Sequence, residues 1–319
     1  MRLPRIDGID LHLFEFDFDL TFMVFFLNAE ERIYSRYGSR DARGPDAQMS
    51  LPGLRHTMQL VLESHSQKAP TFTPRTNKTP LYIGRLAKFR KANGCIHCHE
   101  AKEMLHEDLK YRGKWGRDVV WRYPPTKNLG FTLDVDRGNI VKTVHLKSVA
   151  EQVGLKVGDV LQRISQVPVR SIADVQHALD DAPKEGSVEI SWKRNGKSLK
   201  GDLFLRDGWR LHDFTWRPSV GRLACRLFVF GKDLSVAEKR ALGLTPTQTA
   251  FRQEEPVSSQ AKKAGIRAGD VIVGVDGKKL NLGVKEFLDY VRFHYILGDR
   301  ITIDVLRDGK QLRCPLRFR

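Results

Sequence analysis

The chain contains one segment twice. Residues 150–164 read AEQVGLKVGDVLQRI and residues 261–275 read AKKAGIRAGDVIVGV, so that Gly154, Gly158, Asp159 and Val160 match Gly265, Gly269, Asp270 and Val271 at a constant spacing of 111 residues. A repeat of that period calls for two copies of one folding unit, each with its own core, rather than one large core. The length of 319 residues agrees, being enough for two or three compact units.

Each copy continues in the same order. An amphipathic helix follows, with Ile172, Val175, Ala178 and Leu179 on one face of the first and Val284, Phe287, Leu288 and Val291 on one face of the second. Ser171 has the side chain of an N-cap for the first helix. A hairpin closes each copy: residues 188–194 with 199–205 about Asn195-Gly196, and residues 301–307 with 312–318 about Asp308-Gly309. Asn-Gly and Asp-Gly are the strongest two-residue hairpin signals, because both central residues must take positive φ.

This order resembles the PDZ domains of bacterial periplasmic proteases and their relatives, over residues 116–207 and 222–319. The resemblance implies a partly open β-barrel with a groove between one strand and the second helix, where an extended or C-terminal peptide adds as a further strand. It also implies a glycine loop ahead of the groove strand that receives the peptide's carboxylate on backbone N–H groups. Asn128, Leu129, Gly130 and Phe131 fit that position in the first copy, and Ala241, Leu242, Gly243 and Leu244 in the second, with Lys127 and Lys239 adding charge near each loop. The protease relatives carry a catalytic serine in a Gly-Asn-Ser-Gly-Gly turn; this sequence has no such turn, and a serine-protease reading is set aside.

Ahead of the repeats, residues 20–27 and 32–37 read as strands about a turn at residues 28–31. Residues 51–62 read as a helix opened by Ser50, with Pro52 in its first turn. Strand, strand and helix in this order resemble the carboxyl half of a thioredoxin-like domain. A Ser/Thr/Pro/Lys-rich linker follows at residues 64–80.

Residues 94–100 hold Cys95-x-x-Cys98-His99, the attachment pattern of c-type haem. Two thiols one helical turn apart reach the two vinyl groups, and the adjacent imidazole meets the iron. Cys95 and Cys98 would be the thioether links and His99 the iron ligand. His56, Met58 and His65 compete for the sixth position, or the iron stays five-coordinate, while His106, two turns beyond His99 on the same face, does not reach across the haem. A dithiol–disulfide centre with Cys95 as nucleophile is the second reading, a zinc site on the cysteines and two of His97, His99 and His106 the third. Cys225 and Cys314 stand in apolar surroundings and read as core residues.

The expected fold is therefore α+β. A partial thioredoxin-like segment occupies residues 1–64 and a helical linker with the cysteine motif 65–115. Two PDZ-like domains follow at 116–207 and 222–319, joined by 208–221. As a whole the chain resembles a bacterial family of thioredoxin-like/PDZ-domain proteins. That resemblance implies a non-proteolytic peptide-binding protein of the cell envelope; the alternative is a redox protein whose PDZ domains recruit its substrates. Haem c is attached outside the cytoplasm, so the envelope goes with the haem reading and the cytoplasm with its absence; no export signal is evident in this chain. The net charge of +16 favours acidic partners, anionic membrane surfaces or nucleic acid, and its plainer reading is a solvated basic surface. No zinc-finger or ribonucleoprotein motif points to nucleic-acid readout, and no apolar run is long enough to cross a bilayer.

Overall fold

The computed structural model describes residues 8–67, 78–86 and 98–318, and the chain divides into two compact units, Met1–Val220 and Gly221–Arg319.

In the first unit, strands β1 (Val24–Leu27) and β2 (Ile33–Tyr37) form an antiparallel hairpin. The Asn28 side chain organises its turn by accepting from the N–H groups of Glu30 and Arg32. Helix α1 (Leu51–Ser66) follows, its first turn closed by the Ser50 hydroxyl accepting from the Gly53 N–H, and α2 (Cys98–Tyr111) comes next. The strand–strand–helix order is present, but the hairpin is a two-stranded sheet that packs on the first repeat. A thioredoxin-like affiliation rests on that order alone.

The first repeat opens with a ribbon of β3 (Phe131–Leu133) and β4 (Val141–Val144). Helix α3 (Val149–Gln152) leads to β5 (Val160–Ile164) and β6 (Val167–Pro168), then α4 (Ile172–Asp180), β7 (Gly186–Arg194) and β8 (Lys197–Leu205). The last strands form a sheet of order β6-β5-β7-β8. The ribbon meets it through a single bridge, Ile140 to Val160. Phe131, Leu161, Val175, Ile190 and Leu203 are the centre of the core.

The second unit is built from β9 (Gly231–Asp233), α5 (Val236–Ala241), β10 (Phe251–Gln253), α6 (Ser259–Lys263), β11 (Val271–Val275), α7 (Val284–His294), β12 (Arg300–Arg307) and β13 (Lys310–Arg317). Its sheet runs β13-β12-β11-β10-β9. Cys225 and Cys314 are buried in this core beside Phe251, Phe287 and Val291. Both repeats thus contain open sheets where partly open barrels were expected: the strands that would close a ring, β3 and β9, have three residues each.

The repeated motif has one physical role in both copies. Gly154 and Gly265 take φ of 90° and 89° where α3 and α6 end, a conformation that suits glycine. Asp159 and Asp270 then accept from the N–H groups of Lys156 and Arg267. Each carboxylate also receives a guanidinium from the hairpin, Arg194 at 2.7 and 2.8 Å and Arg307 at 2.6 and 2.8 Å. The same arginines donate to the carbonyls of Gly154 and Gly265. One buried aspartate therefore ties helix end, strand start and hairpin together.

Candidate functional site

A cleft of about 540 Å³ lies between β3 and α4. Its floor follows from hydrogen-bond alternation along β3. The Gly130 carbonyl accepts from His145 and the Asp134 N–H donates to Ile140, so residues 130, 132 and 134 face β4. The backbone groups of Phe131 and Leu133 then point away from β4, and Leu133 lines the cleft. Opposite stand Ile172 and Gln176, one turn apart on α4.

Helix α4 cannot drift. All nine of its residues are buried, largely because β2 lies against it. Asp174 accepts from the Ser35 hydroxyl (2.6 Å) and from the N–H groups of Arg36 (2.9 Å) and Arg170 (3.0 Å). Ser39 donates to Gln176, and Arg122 pairs with Asp180 at the helix's far end. Burial pushes the Asp174 carboxyl above its usual range.

Two further walls come from outside the repeat: residues 40–43 with Gln48, and residues 212–217. Arg40 lies over the Trp216 ring at 5.2 Å, and Arg217 over the same ring at 4.5 Å. Arg217 is held charged by Asp17 and Asp19 against the effect of its burial. His212 donates through Nδ1 to the Arg210 carbonyl, leaving Nε2 buried with no partner among the described residues. Burial, then the Arg217 charge, lowers the His212 pKa to about 3, so its ring is neutral at ordinary pH.

The expected loop residues are distributed unevenly around this cleft. Lys127 lines it. Asn128 ties the loop down by donating to the carbonyls of Trp209 and Leu211. Leu129 and Phe131 are buried in the core, and Gly130 adopts φ 85° against Ser148. In the second repeat, Leu242, Gly243 and Leu244 close the C-terminus of α5: the Leu242 N–H bonds back into the helix, Gly243 has φ 71°, and the Leu244 N–H donates to the Lys239 carbonyl. Lys239 itself reaches the Pro246 carbonyl. Leu129-Gly130-Phe131 and Leu242-Gly243-Leu244 share the pattern Leu-Gly-apolar and each glycine follows a helical turn, so the pattern alone does not separate their roles.

The segment that precedes the edge strand β9 is residues 227–230. Phe228 and Phe230 are exposed there, by 48% and 38%. The Leu234 N–H donates to the Ala250 carbonyl and the Phe230 carbonyl accepts from the Glu254 N–H, on either side of β10, which turns the backbone of Gly231 and Asp233 outward. Asp233 accepts from the Val284 N–H at the start of α7 (3.0 Å). The apolar run 227–230 ahead of Gly231 was the available sequence signal.

Residues 140–194 and 252–316 each match a PDZ domain model. Both repeats are PDZ domains. The chain is 27% identical over 152 residues to the periplasmic pH-dependent serine endoprotease DegQ of Escherichia coli, a match covering 47% of this chain and 31% of that protein. It is 24% identical over 148 residues to a probable periplasmic serine protease of Haemophilus influenzae, covering 46% and 29% respectively. The chain therefore spans less than a third of the length of these two relatives. The PDZ matches leave the cysteine motif outside, and Cys95 lies outside the described residues. Cys98, at the start of α2, packs against the apolar cluster of Leu11, Phe18, Ile83, Leu86 and Ala101, and burial raises its thiol pKa. His56 bonds to Asn139 and His65 to Tyr34. Met58 is exposed and His106 is buried. Among the described residues no helix is long and apolar enough to cross a membrane.

Proposed function

We propose that the chain captures extended peptide segments by strand addition at its first PDZ domain, without a chemical step of its own. The observation that carries this reading is the backbone of Phe131 and Leu133 turned away from β4, with Leu133 lining the cleft that Ile172 and Gln176 of α4 border. A segment lying there gains main-chain hydrogen bonds from β3 and side-chain contacts with Ile172 and Gln176. The two positions span about 7 Å, room for roughly three residues of a partner strand. The second domain, with Phe228 and Phe230 beside β9, offers a second and more open edge. The periplasmic relatives support a place in the bacterial cell envelope.

Strand addition has a signature that other modes of binding lack. The best binder from an array of C-terminal decapeptides is resynthesised with one N-methyl group at each position in turn. Methylation at alternate residues, those whose N–H faces β3, weakens binding by about tenfold or more, the loss of one hydrogen bond plus a clash. Methylation at the residues between is tolerated. A flat array, or a scan with no alternation, overturns the proposal.

A further inference from the structure

The walls that the first PDZ domain borrows from outside its own repeat change what its cleft selects. Five cations line it: Arg40, Arg43, Lys127, Lys142 and Arg217. Two are neutralised in place, Arg43 by Asp41 at 2.7–3.1 Å and Arg217 by Asp17 and Asp19. The remaining acid of the cleft, Asp213, is engaged by the N–H and hydroxyl of Thr215. Arg40, Lys127 and Lys142 have no carboxylate partner among the described residues.

Arg40 is the most constrained of the three. It is half-buried, lies on the Trp216 ring, and its Nε is buried without an acceptor. A guanidinium already oriented on an aromatic face loses little freedom when it meets a carboxylate, and its planar fork accommodates two oxygens at once. The main-chain rules of strand addition do not supply such a group, because Arg40 belongs to the segment after β2 and Trp216 to the segment after β8.

We infer that the cleft of the first PDZ domain selects extended segments carrying acidic side chains, read by Arg40 and Lys142 in addition to any terminal carboxylate near Lys127. This inference rests on the strand-addition reading above and adds the class of segment. Successive side chains of an extended segment point to opposite faces. Only one alternating set can therefore meet Arg40.

The test uses the full chain and three fluorescein-labelled decapeptides of one backbone sequence. Glutamate occupies the even positions of the first and the odd positions of the second; glutamine occupies both sets in the third. Anisotropy titration is expected to show one glutamate phase binding about tenfold tighter than the glutamine peptide, the yield of one well-placed charged hydrogen bond. The other phase stays near the glutamine peptide. Arg40→Gln brings that ratio close to one, and Lys142→Gln, at an exposed position, lowers it without risk to folding. Lys200→Gln removes the same charge from the exposed part of β8 and leaves the ratio intact.

If all three peptides fail to bind, strand addition itself falls. If they bind alike, or both glutamate phases gain equally, capture stands and acidic selection fails; long-range attraction by the net charge of +16 explains the second case. A ratio that survives both cleft variants overturns the inference. So does displacement of the acidic peptide by a ten-nucleotide oligothymidylate, which would assign the cations to nucleic acid instead.

Discussion

Gly130 closes the turn that launches β3, and two independent constraints fix it as glycine. Its φ is 85°, and a Cβ placed there would sit 2.0 Å from the Cβ of Ser148. Gly130→Ala is therefore expected to destabilise the first unit by about 2 kcal/mol or more, combining left-handed strain with a clash. The five tryptophans, residues 115, 121, 192, 209 and 216, all lie in that unit, so a urea titration followed by tryptophan fluorescence reads it separately from the second. A midpoint equal to wild type would contradict the constraint. At this scale the repeat motif was readable as glycine and aspartate positions. The partners of the two aspartates, Arg194 and Arg307, were visible only as an arginine directly before each hairpin turn, a signal that spacing within the motif does not contain.

Helix α4 shows why elements are more legible than their surroundings. Ser171 does cap it, accepting from the Asp174 N–H, and both hairpins turn at the expected dipeptides with φ of 50° and 78° at Asn195-Gly196 and 48° and 74° at Asp308-Gly309. These features are local, and local chemistry is written in adjacent residues. The burial of the helix's polar side is not local: it depends on β2, some 140 residues earlier, supplying Ser35 and Arg36 to Asp174. The sequence therefore read as a hairpin belonging to a separate domain, whereas the structure uses it as a brace. Asp174→Ala strands the N–H groups of Arg36 and Arg170 in a buried site, and an expected loss of about 3 kcal/mol follows from unsatisfied donors. Its second effect is on the cleft: with the brace loosened, peptide affinity falls even under conditions where the unit remains folded. Fluorescence melts and anisotropy on one preparation check both, and unchanged affinity in the folded variant would remove β2 from the binding mechanism.

On the scale of the whole molecule, the first unit carries a built-in sensitivity to acid. His106, His177 and His212 are each lowered to about 3, by burial first and then by Lys102, Arg36 and Arg217 respectively. Unfolded, each takes up a proton near pH 6.5. Between those values the unfolded chain binds more protons, so stability is fully present above about pH 6.5 and declines as pH falls toward 3. Each histidine adds a slope of up to about 1.4 kcal/mol per pH unit. Asp17 and Asp174, whose carboxyls burial raises, act in the opposite sense near their own range and offset part of the loss. Tryptophan-monitored urea midpoints are expected to drop steadily from pH 7 to pH 5, and His212→Asn, which keeps a donor for the Arg210 carbonyl, makes the decline shallower by one proton. A pH-independent midpoint would refute the assignment. The braced helix has a last implication, for the thermodynamics of capture. With α4 held from one side by β2 and from the other by its own core, the receptor enters the encounter already arranged, and nearly all the freedom surrendered on association belongs to the incoming segment. Ligands stiffened into an extended shape should bind tighter through a less unfavourable entropy, while added rigidity in the protein should bring nothing more.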